Sequence, residues 1–287
     1  MRQICYLSMD CLDGYTFDDD LAIEPLRELG FEVSTISWRD ASVNWNDFEA
    51  VIIRTTWDYQ KTPAEFLEVL RKIEASNARL ENSLAIVEWN LAKTYLRELE
   101  QKGVKIVPTL WDEKSVTNPK FEDWKAHFKT PELIIKPIIS ATAEFTYRLP
   151  DFTESLTEVF TNKPFMVQPF ILNVVSEGEF SLFYFGENYS HTILKTPKEK
   201  DFRVQEEHGG IISAVEPSAK LKAAAEKVLN CIRPLPLYSR VDFVRDENDE
   251  FCLMELELIE PALYLRMDEE SPMRFANAIA NILNYYD

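Results

Sequence analysis

The chain opens with short apolar runs separated by segments of helical length. "QICYLS", "EVSTISW" and "AVIIRTTW" read as strands, with a helix over about residues 19–29 that ends at Gly30. After Pro63, "AEFLEVLRKIEAS" carries Phe66, Leu67, Leu70 and Ile73 at helical spacing, and proline suits the first turn of a helix. Strands that are apolar throughout, alternating with helices, predict a parallel sheet covered on both faces. The first 89 residues are therefore expected to form an open α/β unit.

A second helix, "WNLAKTYLRELEQKG", is expected from about Asn90 to Gly103, followed by the strand "KIVPTLW" and a loop at Asn118-Pro119. "LIIKPI", a turn-like "SATAEFTYRL", the helix "FTESLTEVF" and "FMVQPFI" then give the order of a small α+β unit. Beyond residue 179 the pattern is rich in strands: "EFSLFYF", "SHTILK", "YSRVDFV" and "FCLMELELIEP". Two helices, "SAKLKAAAEKVLNCI" and "PMRFANAIANILNYY", accompany them.

The strand "FCLMELELIEP" carries carboxylates where a buried strand would carry valine. Side chains alternate along a strand, so Glu255 and Glu257 share one face while Met254, Leu256 and Leu258 share the other. Strand rise sets the two acids about 6.5 to 7 Å apart at Cα. Such a pair fits either a solvated face or a site where something cationic sits between the acids. "YSRVDFV" places Arg240 and Asp242 on one face by the same period, and the polar link "RDENDE" suits a hairpin. Pairing the two strands brings Asp242, Glu255 and Glu257 together as candidate magnesium ligands.

Composition narrows the field. The 287 residues carry a net charge of −18, which repels nucleic-acid phosphate and argues against that partner. Neither a membrane segment nor a secretory signal is evident, so a cytoplasmic protein is expected. Cys5, Cys11, Cys231 and Cys252, with His127, His191 and His208, show neither zinc nor disulfide spacing. Only 7 glycines occur, and neither a Walker A loop nor a dinucleotide fingerprint is present. Any bound nucleotide must be held largely by side-chain cations.

Arg-x-Asp on one strand, followed 13 residues after the Asp by Glu-x-Glu on the next, resembles the metal-binding hairpin of the ATP-grasp carboxylate-amine ligases. That superfamily includes glutathione synthetase and D-alanine-D-alanine ligase. The resemblance covers roughly residues 90–265. Further similarity in "QPFI", "EGEFSL", "DFRVQEEHGG", "RVDFV" and "MELELIEP" is to the glutathione synthetase-like, RimK-like branch that includes the cycloserine-forming cyclo-ligase.

The resemblance implies an α/β and α+β chain: an N-terminal open parallel domain over 1–89 on the substrate side, then an ATP-grasp domain over 90–287. Within the latter, a lid would span about 106–170 and a metal and catalytic subdomain about 171–287. It implies ATP and two Mg2+ ions as cofactors. Lys93 and Lys136 would clamp the ATP phosphates, with Asp242, Glu255 and Glu257 on the metals. Gln168, Phe170 and Ile171 would line the base pocket, and Glu177 or, preferably, Glu179 would take the ribose hydroxyls. "SATAEFT" stands where the family has a phosphate-covering loop, and it lacks glycine, so the hydroxyls of Ser140 and Thr142 are candidate substitutes. Lys195, Arg203 and Arg240 form the catalytic cation set, and Gly209-Gly210 would let the Arg203 loop close.

"RTTWDY" ends a predicted parallel strand, where open α/β sheets place ligands. Arg54 there would bind a substrate carboxylate or pair with Asp58, and Glu260 is a further candidate contact. The expected activity is ATP-dependent carboxylate-amine ligation or cyclisation of a small amino-acid-like substrate through an acyl phosphate, releasing ADP and phosphate. The alternatives are a phosphotransferase on the same scaffold and a non-catalytic nucleotide-binding protein. The expected partners are a small-molecule carboxylate and an amine; homodimers are common in the family.

Overall fold

The computed structural model describes residues 1–140 and 143–284. Its first sheet is parallel, with strands β1 (Arg2–Ser8), β2 (Phe31–Ser37), β3 (Ala50–Thr55) and β4 (Arg79–Glu81) in the order β2-β1-β3-β4. Both faces are covered, which explains why β1 and β3 are apolar at successive positions. On one face, Cys5, Leu7, Val51 and Ile53 pack with Phe66, Leu70 and Ile73 of helix α2 (Pro63–Glu74). On the other, Ile4, Tyr6 and Ile52 join a cluster that holds Leu26 of α1 (Ile23–Glu28).

The single helix expected from Asn90 to Gly103 is two helices, α3 (Leu84–Asn90) and α4 (Tyr95–Gln101). Three bonds mark the break. Asn90 turns its side-chain amide outward, donating to the Leu256 carbonyl and accepting from the Leu258 N–H. The Lys93 N–H donates to the Ile138 carbonyl instead of back along the helix. Lys93 consequently lies in the turn between the helices.

The second sheet contains β5 (Leu110–Asp112), β6 (Leu133–Pro137), β7 (Tyr147–Leu149) and β8 (Phe165–Pro169), ordered β5-β8-β6-β7 and antiparallel. Helices α5 (Asn118–Phe128) and α6 (Ser155–Val159) cover it through Phe121, Trp124 and Leu156. Two expectations are corrected here. "KIVPTLW" is not one strand, because Pro108 has no N–H for a ladder, and Ile106 makes only an isolated bridge to Leu253. Asn118-Pro119 opens α5 instead of forming a loop, since proline is tolerated in a first helical turn.

The third sheet is antiparallel: β9 (Glu179–Phe185), β10 (Asn188–Thr196), β11 (Ile211–Ala214), β12 (Tyr238–Arg245) and β13 (Phe251–Glu257), in the order β11-β10-β9-β12-β13. The short helix α7 (Asn173–Ser176) precedes it. One face packs Leu182, Val241, Phe243, Leu253 and Leu256 against Leu221, Ala225 and Val228 of α8 (Ala219–Leu229). The final helix α9 (Ser271–Asn284) buries Phe275, Ala276, Ile279 and Leu283 against the first sheet and β9. No helix among the described residues is long and apolar enough to cross a membrane.

Fully buried Asn82 ties the end of the first sheet to the third. Its amide donates to the carbonyls of Tyr238 and Leu258, and its oxygen accepts from the Leu237 N–H. Replacing it with leucine, similar in size, leaves three buried backbone groups without partners, each costing roughly 1–3 kcal/mol. Asn82→Leu is therefore expected to lower unfolding free energy in urea by at least about 3 kcal/mol. A loss below about 1 kcal/mol, the net value of one ordinary hydrogen bond, would contradict this role.

Candidate active site

The hairpin expected from the carboxylate pattern is present, with Arg240 opposite Glu257 and Asp242 opposite Glu255. On the neighbouring strands Asp242 lies beside Ser181, and Lys195 lies opposite Glu179. One face of four adjacent strands thus carries interleaved acids and bases, while the other face forms the apolar core against α8. This is the physical reason for glutamates in "MELELIEP": alternation gives the strand one face for packing and one for a cleft.

That face opens into a single cleft. Lys93, Lys136, Ser140, Gln168, Phe170, Glu179, Lys195, Arg203, Arg240, Asp242, Glu255, Glu257 and Glu260 all line it. Ile171, Arg54 and Asp58 do not. Ile171 packs instead against the small cluster of Val107, Val174 and Val204. Arg54, 1% exposed, donates from Nε to Asp19 Oδ1 at 2.9 Å and from Nη2 to the Pro261 carbonyl at 2.9 Å, and stacks 4.8 Å from the Tyr238 ring centroid. Its partner is thus Asp19, not Asp58, and it is closed off from any substrate. Asp58 accepts from Trp38 Nε1 at 2.9 Å and pairs with Arg39. Glu177 pairs with Arg245 away from the cleft. Thr142 lies outside the described residues.

The acids of the cleft are neutralised by side chains. Lys195 pairs with Glu179 and, at 3.3 Å, with Asp242. Arg240 bonds Asp242 at 3.0 Å and also pairs with Glu257. Lys93 Nζ lies 2.8 Å from Glu255 Oε1 and donates to the Ser140 carbonyl at 2.6 Å. Burial alone would raise the Asp242 carboxyl, but Arg240 and Lys195 outweigh it and hold it below the usual carboxylate range. Burial likewise opposes charge on Lys195, yet Asp242 and Glu179 keep its ammonium above its ordinary value. Lys136 has no such balance, and burial, aided by nearby Lys93, lowers it despite the pull of Glu255.

These pairs correct one expectation. Among the described residues no group of three His, Cys, Asp or Glu side chains is arranged to hold a metal ion. The cations between the three hairpin carboxylates are Arg240, Lys195 and Lys93. Asp242 Oδ1 already accepts from Arg240 Nε, and its Oδ2 accepts from Arg240 Nη2 and Lys195 Nζ. Glu255 and Glu257 keep more than a quarter of their side-chain surface exposed. Two open carboxylates fit a magnesium ion that completes its shell with water and phosphate oxygens; they do not form a closed protein cage.

Next to the cationic region lies an apolar slot formed by Ile134, Phe170, Val174, Phe202, Val204 and Met254. Phe170 meets Phe202 edge to face at 6.2 Å, and Arg148 stacks 3.7 Å above Phe170. Arg203 grips Asp201 with two bonds, Nε to Oδ1 at 3.1 Å and Nη2 to Oδ2 at 2.9 Å. The loop that follows closes tightly, since a Cβ on Gly210 would fall 2.0 Å from the Val204 carbonyl oxygen. Sequence reasoning missed the aromatic wall of Tyr15, Trp57, Tyr59 and Tyr264. Trp57 and Tyr59 flank the singled-out Asp58, and placement after a parallel strand was their available signal.

Residues 4–82 match the family model of the N-terminal domain of D-cycloserine synthetase DcsG. The chain is 29% identical to the cycloserine biosynthesis protein DcsG of Streptomyces lavendulae, over 93% of this chain and 94% of that protein. The crystal structure of D-cycloserine synthetase DcsG is similar at a TM-score of 0.83 and 26% identity, covering 98% of this chain and 99% of that one. The ATP-grasp ligase PsnB, complexed with a minimal precursor, is similar at a TM-score of 0.67 and 16% identity, with both chains covered in full. This last likeness speaks to fold alone, and the fold is ATP-grasp. The similarity extends beyond residues 90–265 to the N-terminal sheet.

Glu260 gives a prediction on pH. Burial, and then repulsion from Glu257, pushes its carboxyl from an ordinary 4.5 up to about 8. Between these values the folded chain keeps a proton that the unfolded chain releases, so this group's contribution to stability falls as pH rises. In Glu260→Gln that loss is absent. The melting temperature of the variant minus that of the wild type is expected to increase from pH 5 to pH 9. A difference that stays flat across this range would contradict the assignment.

Proposed function

We propose that this chain, an ATP-grasp ligase similar to D-cycloserine synthetase, activates the carboxylate of a small amino-acid-like substrate as an acyl phosphate and couples it to an amine. The observation that carries the reading is the division of one cleft into an apolar slot and a cationic region bordered by the open carboxylates Glu255 and Glu257. The slot suits a purine, with Phe170 and Gln168 at its edge and Glu179 toward the ribose. Lys93 and Lys136 then face the phosphates. The low intrinsic charge preference of buried Lys136 becomes favourable once an anion is beside it.

Glu255 and Glu257 would hold magnesium, with Asp242 behind them keeping Arg240 and Lys195 in place. Bound there, magnesium neutralises phosphate charge and helps align the transferring phosphoryl group. For this chain's own residues, the chemistry is electrostatic. Arg240 and Arg203 orient the substrate carboxylate whose oxygen takes the γ-phosphoryl group of ATP, leaving ADP. Both arginines then stabilise the oxyanion formed when the amine nitrogen attacks the acyl carbon and phosphate departs. Water must be excluded meanwhile, because it would hydrolyse the acyl phosphate. We assign that exclusion to a lid over about 106–170, between an N-terminal substrate domain (1–89) and the catalytic part (171–287).

Product analysis tests the reading. A ligase yields ADP, free phosphate and a coupled product, whereas a phosphotransferase leaves phosphate on its acceptor. Glu255→Gln is expected to lower ATP turnover by at least about 100-fold, typical for removal of an electrostatic catalytic group, with an unchanged circular dichroism spectrum. Native-rate turnover would remove the hairpin from the site. Lys136→Ala is expected to weaken ADP binding by at least about tenfold, or 1.4 kcal/mol, by calorimetry. An unchanged dissociation constant would exclude Lys136 from phosphate contact.

A further inference from the structure

We infer that Glu260, framed by Trp57 and Tyr15, binds the free ammonium group of a zwitterionic amino-acid substrate; the inference rests on the ligase reading above. Six carboxylates line the cleft: Glu179, Glu207, Asp242, Glu255, Glu257 and Glu260. Four of them pair with Lys93, Lys195 or Arg240. Glu207 is exposed to water. Glu260 is neither fully exposed nor, among the described residues, in an ion pair.

Glu260 is nevertheless held firmly in place. Gln60 Nε2 donates to its Oε1 at 2.9 Å, and Trp57 Nε1 donates to its backbone carbonyl at 2.8 Å. Both donors are neutral. Gln60 holds the side chain and Trp57 the backbone without compensating the carboxylate; Glu257 and Glu255 repel an anion here, and the attraction of Lys93 and Arg240 is shared with the acids they already pair with. A cation supplied from outside is the group this arrangement lacks.

The adjoining wall suits an organic cation. Tyr15 and Trp57 lie with ring centroids 5.4 Å apart and planes tilted by 41°. Both border the cleft, as Glu260 does. A primary ammonium on Glu260 would lie in a cleft also lined by Tyr15 and by Trp57, whose indole bonds the Glu260 backbone, and ring quadrupoles attract such cations. Arg203 and Arg240 line the same cleft and present guanidinium groups suited to a carboxylate. Arginines for one charge and Glu260 for the other fit a zwitterion, whereas an amine-blocked acid would leave Glu260 uncompensated.

Calorimetry on the full chain loaded with ADP and magnesium tests the subsite. The probes are D-cycloserine and the D- and L-amino acids, each offered as the free amine and as its N-acetyl derivative. Free amines are expected to bind at least about tenfold more tightly than their acetylated forms. Glu260→Gln should erase this preference while binding ADP as the wild type does, which also shows that the variant is folded. Trp57→Leu should reduce the preference without abolishing it. Equal binding of free and blocked amines, a preserved preference in Glu260→Gln, or no free amine bound by an ADP-loaded chain would each overturn the subsite alone. Failure of the wild type to bind ADP would overturn the ligase reading itself, and this inference with it.

Discussion

The organisation of this protein depends on charge compensation across one face of an antiparallel sheet. Asp242, Glu255, Glu257 and Glu179 project from β9, β12 and β13 into a recessed cleft, and Lys195, Arg240 and Lys93 interleave with them. Deleting one partner of a buried pair strands the other, at a cost of about 3–5 kcal/mol. Replacing such pairs with well-packed apolar residues is often neutral or stabilising. Stability therefore does not explain why the chain places acids here. The proposed cleft for polyphosphate and a divalent cation would explain it, because Lys93, Glu255 and Glu257 would each gain a second partner once the ligands arrive.

Compensation of this kind also prepares the site. Lys93 is fixed by the turn between α3 and α4 and by the Ser140 carbonyl, so its ammonium is positioned before any phosphate binds. Asp242 is used up by Arg240 and Lys195, while Glu255 and Glu257, each in one ion pair, stay more exposed. The cleft combines an apolar slot, a cationic region, and aromatic residues with Glu260, which is in no ion pair among the described residues.

Much of this was legible in the sequence because strand alternation is a short-range property. The Glu-x-Glu and Arg-x-Asp spacings alone put four charges on one face, and the polar link between them fixed the hairpin. Partners set by long-range packing were not legible. Arg54 finds Asp19, 35 residues upstream, not nearby Asp58, because β3 carries it under the first sheet. Asn90 ends α3 with its side-chain amide on Leu256 and Leu258, and the Lys93 N–H then donates to the Ile138 carbonyl, a long-range bond that interrupts the helix and leaves Lys93 at the cleft. Asn82 gave no signal at all, since a lone asparagine before a helix resembles an ordinary cap. The aromatic wall was missed for a related reason: Tyr15 and Trp57 come from separate loops and meet only in three dimensions.

The central proposal is that Glu255 and Glu257 hold a divalent cation while the Lys93 ammonium turns from Glu255 to phosphate. Diffraction from crystals grown with Mn2+ and a non-hydrolysable ATP analogue, recorded at the manganese edge, tests it most directly. The account predicts an anomalous peak bound to Glu255 or Glu257 and to a phosphate oxygen, with the Lys93 ammonium moved from Glu255 to phosphate. An anomalous peak elsewhere, or a bound nucleotide with the Lys93–Glu255 pair intact, would contradict it.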